Sequence, residues 1–158
     1  MGAQMRRVVF FPHSKKEFGS KYRLRNWLSG TLRIDNDGIY LLKKHPGLSD
    51  LDAGSIVFFV REDSAVGCAV VEEDMKEITE EERKVNDYGP DYKWLVKFVP
   101  NSIWAWSDSQ FLSRQKLKEI TGKEVGMQGY TQLDDLGKLM EIYAEIKAPK
   151  AIRELGGT

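Results

Sequence analysis

The sequence predicts one α+β domain in which helices flank a twisted, barrel-like β-sheet, and three observations carry that expectation. Residues 55–61 and 65–71 are two adjoining apolar, β-rich runs separated only by Glu62, Asp63 and Ser64, the pattern of a hairpin. Neither run alternates apolar with polar, so both faces of these strands need a cover of helices or a second layer. Leu133, Leu136, Leu139, Met140 and Tyr143 recur at helical spacing and supply one such cover as an amphipathic C-terminal helix over residues 133–146. With 158 residues, 41% of them hydrophobic and 30% charged, the chain can bury one sizeable core.

The remaining elements follow from local patterns. Residues 7–12 are a short apolar run ended by Pro12, a first strand that delivers the polar loop His13, Ser14, Lys15 and Lys16. Between residues 21 and 32, Tyr22, Leu24, Trp27, Leu28 and Leu32 mix with Arg23 and Arg25 without a clean period. A loop with a short helix is expected there, with Trp27 in the loop. Residues 35–38 form a turn, and residues 39–42 a brief apolar segment. The acidic stretch 72–91 carries a helix from near Thr79, where Glu80, Glu81 and Glu82 suit the positive end of the helix dipole. The acids of residues 72–82 read as a solvated helix face rather than as paired catalytic carboxylates. A loop over residues 86–90 precedes a strand over residues 92–100, with Trp94, Val96 and Phe98 on one face. Residues 110–120 read as a short basic helix and residues 121–131 as a loop or last strand. Pro149 ends the final helix, so the domain is expected to span residues 1–147, with 148–158 starting a linker to a downstream domain.

Several function classes are absent from the sequence. Cys68 is the only cysteine, which excludes an internal disulfide and a cysteine-built zinc site, and its apolar surroundings suit a buried thiol. No glycine-rich phosphate loop occurs, and neither His13 nor His45, the two histidines, sits in a ligand motif. No metal, no cofactor and no catalysis are expected, only binding. The apolar run after the charged N-terminus is too short for a signal peptide, and no run is long enough to cross a bilayer, so a cytoplasmic protein without a membrane partner is expected.

The net charge of zero conceals an uneven distribution. Residues 1–45 hold ten Lys/Arg against three Asp/Glu, and residues 46–92 hold four against thirteen. Residues 93–123 hold six against two, and residues 124–158 four against six. Two basic segments therefore flank an acidic one, and a fold that joins the basic segments would present one phosphate-attracting face. Trp27, Tyr88, Trp104 and Trp106 fall in or near expected loops, where aromatic rings stack on bases or enclose methyl groups. Trp104 and Trp106, two residues apart, also fit one buried ring and one rim ring at a strand end.

This succession of segments resembles the YTH branch of the PUA-like domains and its relative, the EVE domain. Residues 9–14 (Val-Phe-Phe-Pro-His-Ser) are similar to the strand that carries a Lys-Ser dipeptide to the YTH base pocket, with His13 in place of the lysine. Trp27, with Ser29 close behind, is similar to the Trp-Ser of the first cage wall. Tyr88 or Tyr92 stands where the second wall is a tryptophan, and residues 125–129, with Gln128, fall where the family carries Arg-Asp-Gly-Gln-Glu. The resemblance implies a PUA-like fold and recognition of a flipped N6-methyladenine in an aromatic cage of Trp27, Tyr88 or Tyr92, Ser14, His13, Ser29 and Gln128. Lys15, Lys16, Arg23, Arg25, Arg114 and Lys116 would hold phosphates. It is similar above all to the N-terminal DNA-binding domain of an archaeal McrB-type modification-dependent restriction enzyme. That implies methylated DNA as partner, a GTPase motor downstream in the same chain and a nuclease subunit. An RNA-binding PUA-like or EVE module, and a protein-interaction domain anchored by Trp104 and Trp106, remain the alternatives.

Overall fold

The computed structural model describes residues 7–44, 51–125, 130–133, 136–150 and 152–153. In chain order these form β1 (Val8–His13), α1 (Lys21–Trp27), β2 (Ile39–Leu42), β3 (Ile56–Arg61), β4 (Ser64–Glu77), α2 (Glu80–Asn86) and β5 (Trp94–Phe98). There follow β6 (Trp104–Ala105), β7 (Leu112–Ser113), α3 (Arg114–Thr121), β8 (Thr131–Leu133) and α4 (Leu136–Glu145).

The expected hairpin is the centre of the sheet. β3 and β4 pair antiparallel from Ile56 opposite Val70 to Arg61 opposite Ser64, so the turn is Glu62 and Asp63 alone and Ser64 already belongs to β4. Glu62 takes the left-handed conformation, φ 59°. The strands lie in the order β2-β5-β4-β3-β1-β8, with β6 and β7 also pairing with β4. β1 runs parallel to β3 while its other neighbour, β8, is antiparallel. No ladder joins β2 to β8 among the described residues, so the expected barrel-like sheet is an open one.

The continuous apolar runs have the reason proposed for them, since each face of the sheet carries its own core. Phe10, Phe58, Cys68 and Val70 pack on one face with Trp106, Leu117, Leu139, Ile142 and Tyr143. Phe11, Phe59, Val66 and Ala69 pack on the other with Leu24, Leu28, Leu32, Tyr40 and Phe98. Trp106 is wholly buried against Phe58, and Trp104 half-covered beside it at 5.9 Å. Burial pushes the Cys68 thiol up to about 12, as expected of an inert core cysteine.

Several local expectations are corrected. Residues 21–35 are one continuous helical stretch rather than a loop with a short helix. Ser20 caps α1 by accepting from Arg23 N, and a π-helical segment, Leu28–Asp35, continues it without a break. Leu24, Leu28 and Leu32, spaced by four, are all buried, and the polar residues between them hid that period. The acidic residues 72–77 continue β4, paired with β5 through register shifts, so only the later acids are helical. The Thr79 helix start is as expected, a capping box in which Thr79 and Glu82 satisfy each other's backbone N–H groups. Leu133 lies in β8 rather than in the last helix, and α4 buries Leu139, Ile142 and Tyr143 while Met140 stays 45% exposed. Residues 110–120 divide into a 3-10 turn, β7 and α3, the last capped by Ser113 accepting from Lys116 N. Among the described residues no helix is long and apolar enough to cross a membrane.

Candidate functional site

Because β1 and β3 are parallel, their C-terminal ends emerge side by side, with His13 in register with Arg61. Beyond His13 the chain closes a tight turn at Ser14: Glu17 N and Phe18 N both donate to the Ser14 carbonyl, at 3.1 and 3.0 Å. The Glu17 carboxylate returns the bond by accepting from Ser14 N at 3.0 Å and from Ser14 Oγ at 3.3 Å. Arg61 locks the next residues by donating from Nε to the Phe18 carbonyl at 2.8 Å and from Nη2 to that of Gly19 at 3.4 Å. A depression of about 310 Å³ opens at this end of the sheet. It is lined by Pro12, His13, Ser14, Lys15 and Glu17 together with Arg61, Glu62 and Arg114.

His13, which lines the depression, belongs to an aromatic cluster. His13 Nε2 and Tyr40 Oη are 2.7 Å apart in a buried hydrogen bond, and the imidazole packs 5.5 Å from Phe18 and 5.8 Å from Phe59. Trp27 meets Phe18 at 5.3 Å and Tyr40 at 5.9 Å, both edge to face. Tyr130 meets Phe11 at 4.7 Å. Burial holds the His13 ring below the usual imidazole range, against the opposing pull of the Glu17 carboxylate and the nearby Val60 and Phe11 carbonyls. Its Nδ1 is buried without a hydrogen-bond partner of good geometry. A neutral ring with its proton on Nδ1 would accept from Tyr40 Oη at Nε2, and one with its proton on Nε2 would donate to it. Burial also raises Tyr40 well above the phenol range, with Tyr130, Glu17 and Tyr92 adding to it. Tyr130 is raised by burial and by Glu17.

The sign of the His13 shift gives a measurable result. A histidine that stays neutral when folded but accepts a proton at about pH 6.5 when unfolded contributes stability above that pH, and loses it as the pH falls below. Glu82, held at about 2 by Lys76 and Thr79, loses its contribution only below the ordinary carboxylate range. The melting temperature is therefore expected to drop between about pH 7.5 and pH 5.5, and a His13→Gln variant to drop less over the same window. Equal slopes in a thermal-melt series of both proteins would assign the loss to another group.

The residues singled out in the sequence are distributed unevenly about this site. His13, Ser14, Lys15 and Arg114 line the depression. Lys16 is exposed on the same turn, and neither it nor Lys15 makes an ion pair among the described residues. Trp27 is not in a loop: it ends α1, half-buried, and supports Phe18 and Tyr40 from behind. Ser29 is exposed on the π-helical segment, its Oγ bonded to the Asn26 carbonyl at 3.2 Å. Tyr92 reaches the electrostatic surroundings of Tyr40, whereas Tyr88 acts on Lys76. Arg83 fixes the loop between them by donating to the carbonyls of Gly89 and Tyr92 at 2.7 and 2.8 Å. Arg25 is a structural staple rather than an open cation. It bonds Asp108 at 2.8 Å and the Trp106 carbonyl at 3.0 Å, and lies 5.5 Å over Phe111. Lys116 pairs with Glu145 at 3.5 Å, away from the depression, and Arg23 is exposed on α1. Gln128 and His45 lie outside the described residues. Within those residues no group of His, Cys, Asp and Glu is placed to hold a metal ion.

Sequence reasoning missed Glu17, Phe18, Tyr40, Arg61 and Tyr130. Only Glu17 had a local signal, since Ser14-Lys15-Lys16-Glu17 has capping-box spacing.

No family model matches the sequence, and no curated protein does. The fold does have counterparts among solved structures, including two crystal structures of ZmASCH from Zymomonas mobilis. A Tyr-to-Phe mutant matches at 9% identity with a TM-score of 0.50, covering 87% of this chain and 96% of that one. A Ser-to-Ala mutant matches at 11% identity with a TM-score of 0.52, covering 89% and 96%. At such identities the likeness is one of fold: the chain shares an α+β architecture with ZmASCH.

Proposed function

We propose that this domain binds nucleic acid and reads one unstacked, modified base, with N6-methyladenine in DNA as the ligand that the YTH and EVE resemblance implies. The observation that carries the reading is the depression at the C-terminal ends of β1 and β3, lined by the His13 ring, Glu17, Lys15 and Arg114, with Phe18 and Tyr40 packed against His13. Taking a base out of a duplex costs a few kcal/mol, and stacking against rings, which contributes about 1–3 kcal/mol per base, offsets it. Lys15, Lys16 and Arg114 suit the phosphates on either side, where position but not methylation is sensed. Ser14 Oγ is bonded to Glu17 rather than to His13, which favours binding over hydrolysis. In this reading the chain is the specificity module of a modification-dependent restriction system, and cutting belongs to a GTPase motor and a nuclease partner. Burial of Trp106 removes it as an anchor for a protein partner.

Fluorescence titration with matched methylated and unmethylated DNA and RNA oligonucleotides tests the proposal. Tighter binding of the methylated DNA is expected. Equal affinity for both would sink methyl recognition, and a stronger response with RNA would move the ligand to that nucleic acid. Replacing Lys15 and Lys16 with alanine is expected to weaken both DNAs alike and to reduce the slope of log affinity against log salt by about 0.9 for each phosphate no longer neutralised.

A further inference from the structure

Among the described residues every aromatic side chain is buried or half-buried except Tyr22, which stands on α1 and is 45% exposed. Its ring meets Phe111 at 5.7 Å with a tilt of 38°. Phe111 is itself half-buried and packs against both cores, so this contact anchors the inward side of the Tyr22 ring and leaves the rest to solvent. Lys21 Nζ and Arg25 Cζ lie 5.8 and 6.0 Å from the ring centroid, at the outer limit of a cation–π contact. Asp63 ties this patch to the depression. Its carboxylate accepts from Lys21 Nζ at 3.1 Å and its carbonyl from Arg114 N at 2.7 Å. Arg114 and Glu62, the other residue of the hairpin turn, both line the depression.

The charges around the patch suit a polyanion. Glu62, Asp63 and Asp108 are each paired with a cation, Arg61, Lys21 and Arg25 respectively. Lys15, Lys16 and Arg23 are exposed and form no ion pair among the described residues, and together they outnumber the exposed Glu17. Arg23 lies beside Gly19, whose carbonyl accepts from Arg61 of the depression. An open ring among such cations is the arrangement that holds single-stranded nucleic acid, with the cations on the backbone and the ring stacked on a base. We propose that Tyr22 is a second stacking platform, which takes a base flanking the one read in the depression. The inference rests on the base-reading proposal above and narrows its ligand to a strand that is unpaired beside the modified nucleotide as well.

The test uses labelled single-stranded oligonucleotides that carry one N6-methyladenine and differ only in whether the flanking bases are present or replaced by abasic sites, which keeps phosphates and methylation constant. Anisotropy titration of the whole chain is expected to show the intact strand bound about tenfold more tightly, the scale of stacking one base. Tyr22→Leu, which keeps an apolar contact with Phe111, and Tyr22→Gln, a polar replacement at the surface, are each expected to bring that ratio close to one with little change in melting temperature. Tyr22→Trp is expected to keep it. Equal binding of the two strands by the unaltered chain overturns the inference and leaves base reading standing, as does a ratio that survives in either ring-less variant. Failure of both strands and of methylated duplex DNA to bind overturns both proposals. Either ring-less variant decides by itself, should the other not fold.

Discussion

Gly38→Ala is expected to destabilise the domain by about 3 kcal/mol, roughly 10 °C of melting temperature for a chain of this size. Two costs add. Gly38 has φ 84°, a conformation that disfavours any Cβ, and an alanine Cβ would stand inside van der Waals distance of the Phe98 carbonyl oxygen. That carbonyl belongs to backbone and cannot swing aside. Gly38 donates to Leu32 O and accepts from Phe98 N, both at 2.8 Å, so relief by backbone movement would break the junction of the π-helical segment, β2 and β5. Thermal melts of the two proteins check the prediction, and a loss of under about 1 kcal/mol would show that this turn relaxes freely.

Trp27→Ala is the second large effect, and it reverses what the sequence implies. A loop tryptophan would be dispensable for folding, but this one closes α1 and packs on Phe18 and Tyr40. A loss of about 2–3 kcal/mol is expected, below the 3–5 kcal/mol of a wholly buried ring because part of its surface is already wet. Tyr40 holds His13, so the same truncation should loosen the wall of the depression and weaken discrimination between methylated and unmethylated oligonucleotides. Trp27→Phe, which keeps edge-to-face packing, is expected to recover most of both. A Trp27→Ala protein with unchanged melting temperature and no remaining discrimination would instead make the ring a direct neighbour of the base.

Those two residues illustrate what the sequence discloses. The β3–β4 hairpin, the Thr79 helix start and the Trp94 strand are written in neighbouring residues, and local pattern suffices to find them. The role of Trp27 depends on Phe18 and Tyr40, which reach it from separate elements, and that of Arg25 on Asp108, 83 residues away. His13 reads as a loop residue because Pro12 precedes it, yet pairing with Arg61 keeps it in β1 and buries it. Tyr40 is one aromatic in a four-residue apolar strand, and nothing beside it in sequence indicates that its hydroxyl meets an imidazole. The depression itself is made by the parallel juncture of β1 and β3, which no periodicity encodes.

The long strand β4 has a consequence for how the domain comes apart and together. Its first half pairs with β3, β6 and β7 and its second half with β5, and its side chains enter both cores. Neither core can be lost while β4 keeps its place, so the two layers form one cooperative unit rather than two foldons that open in turn. Assembly is bound by the same strand. The local hairpin can zip early, but β1 must reach β3 across an intervening segment of more than forty residues that holds α1 and β2, and the entropy of closing it is spent before that pairing returns anything. Folding is thus expected to be slow and all-or-none, with the depression at the ends of β1 and β3 among the last features to exist.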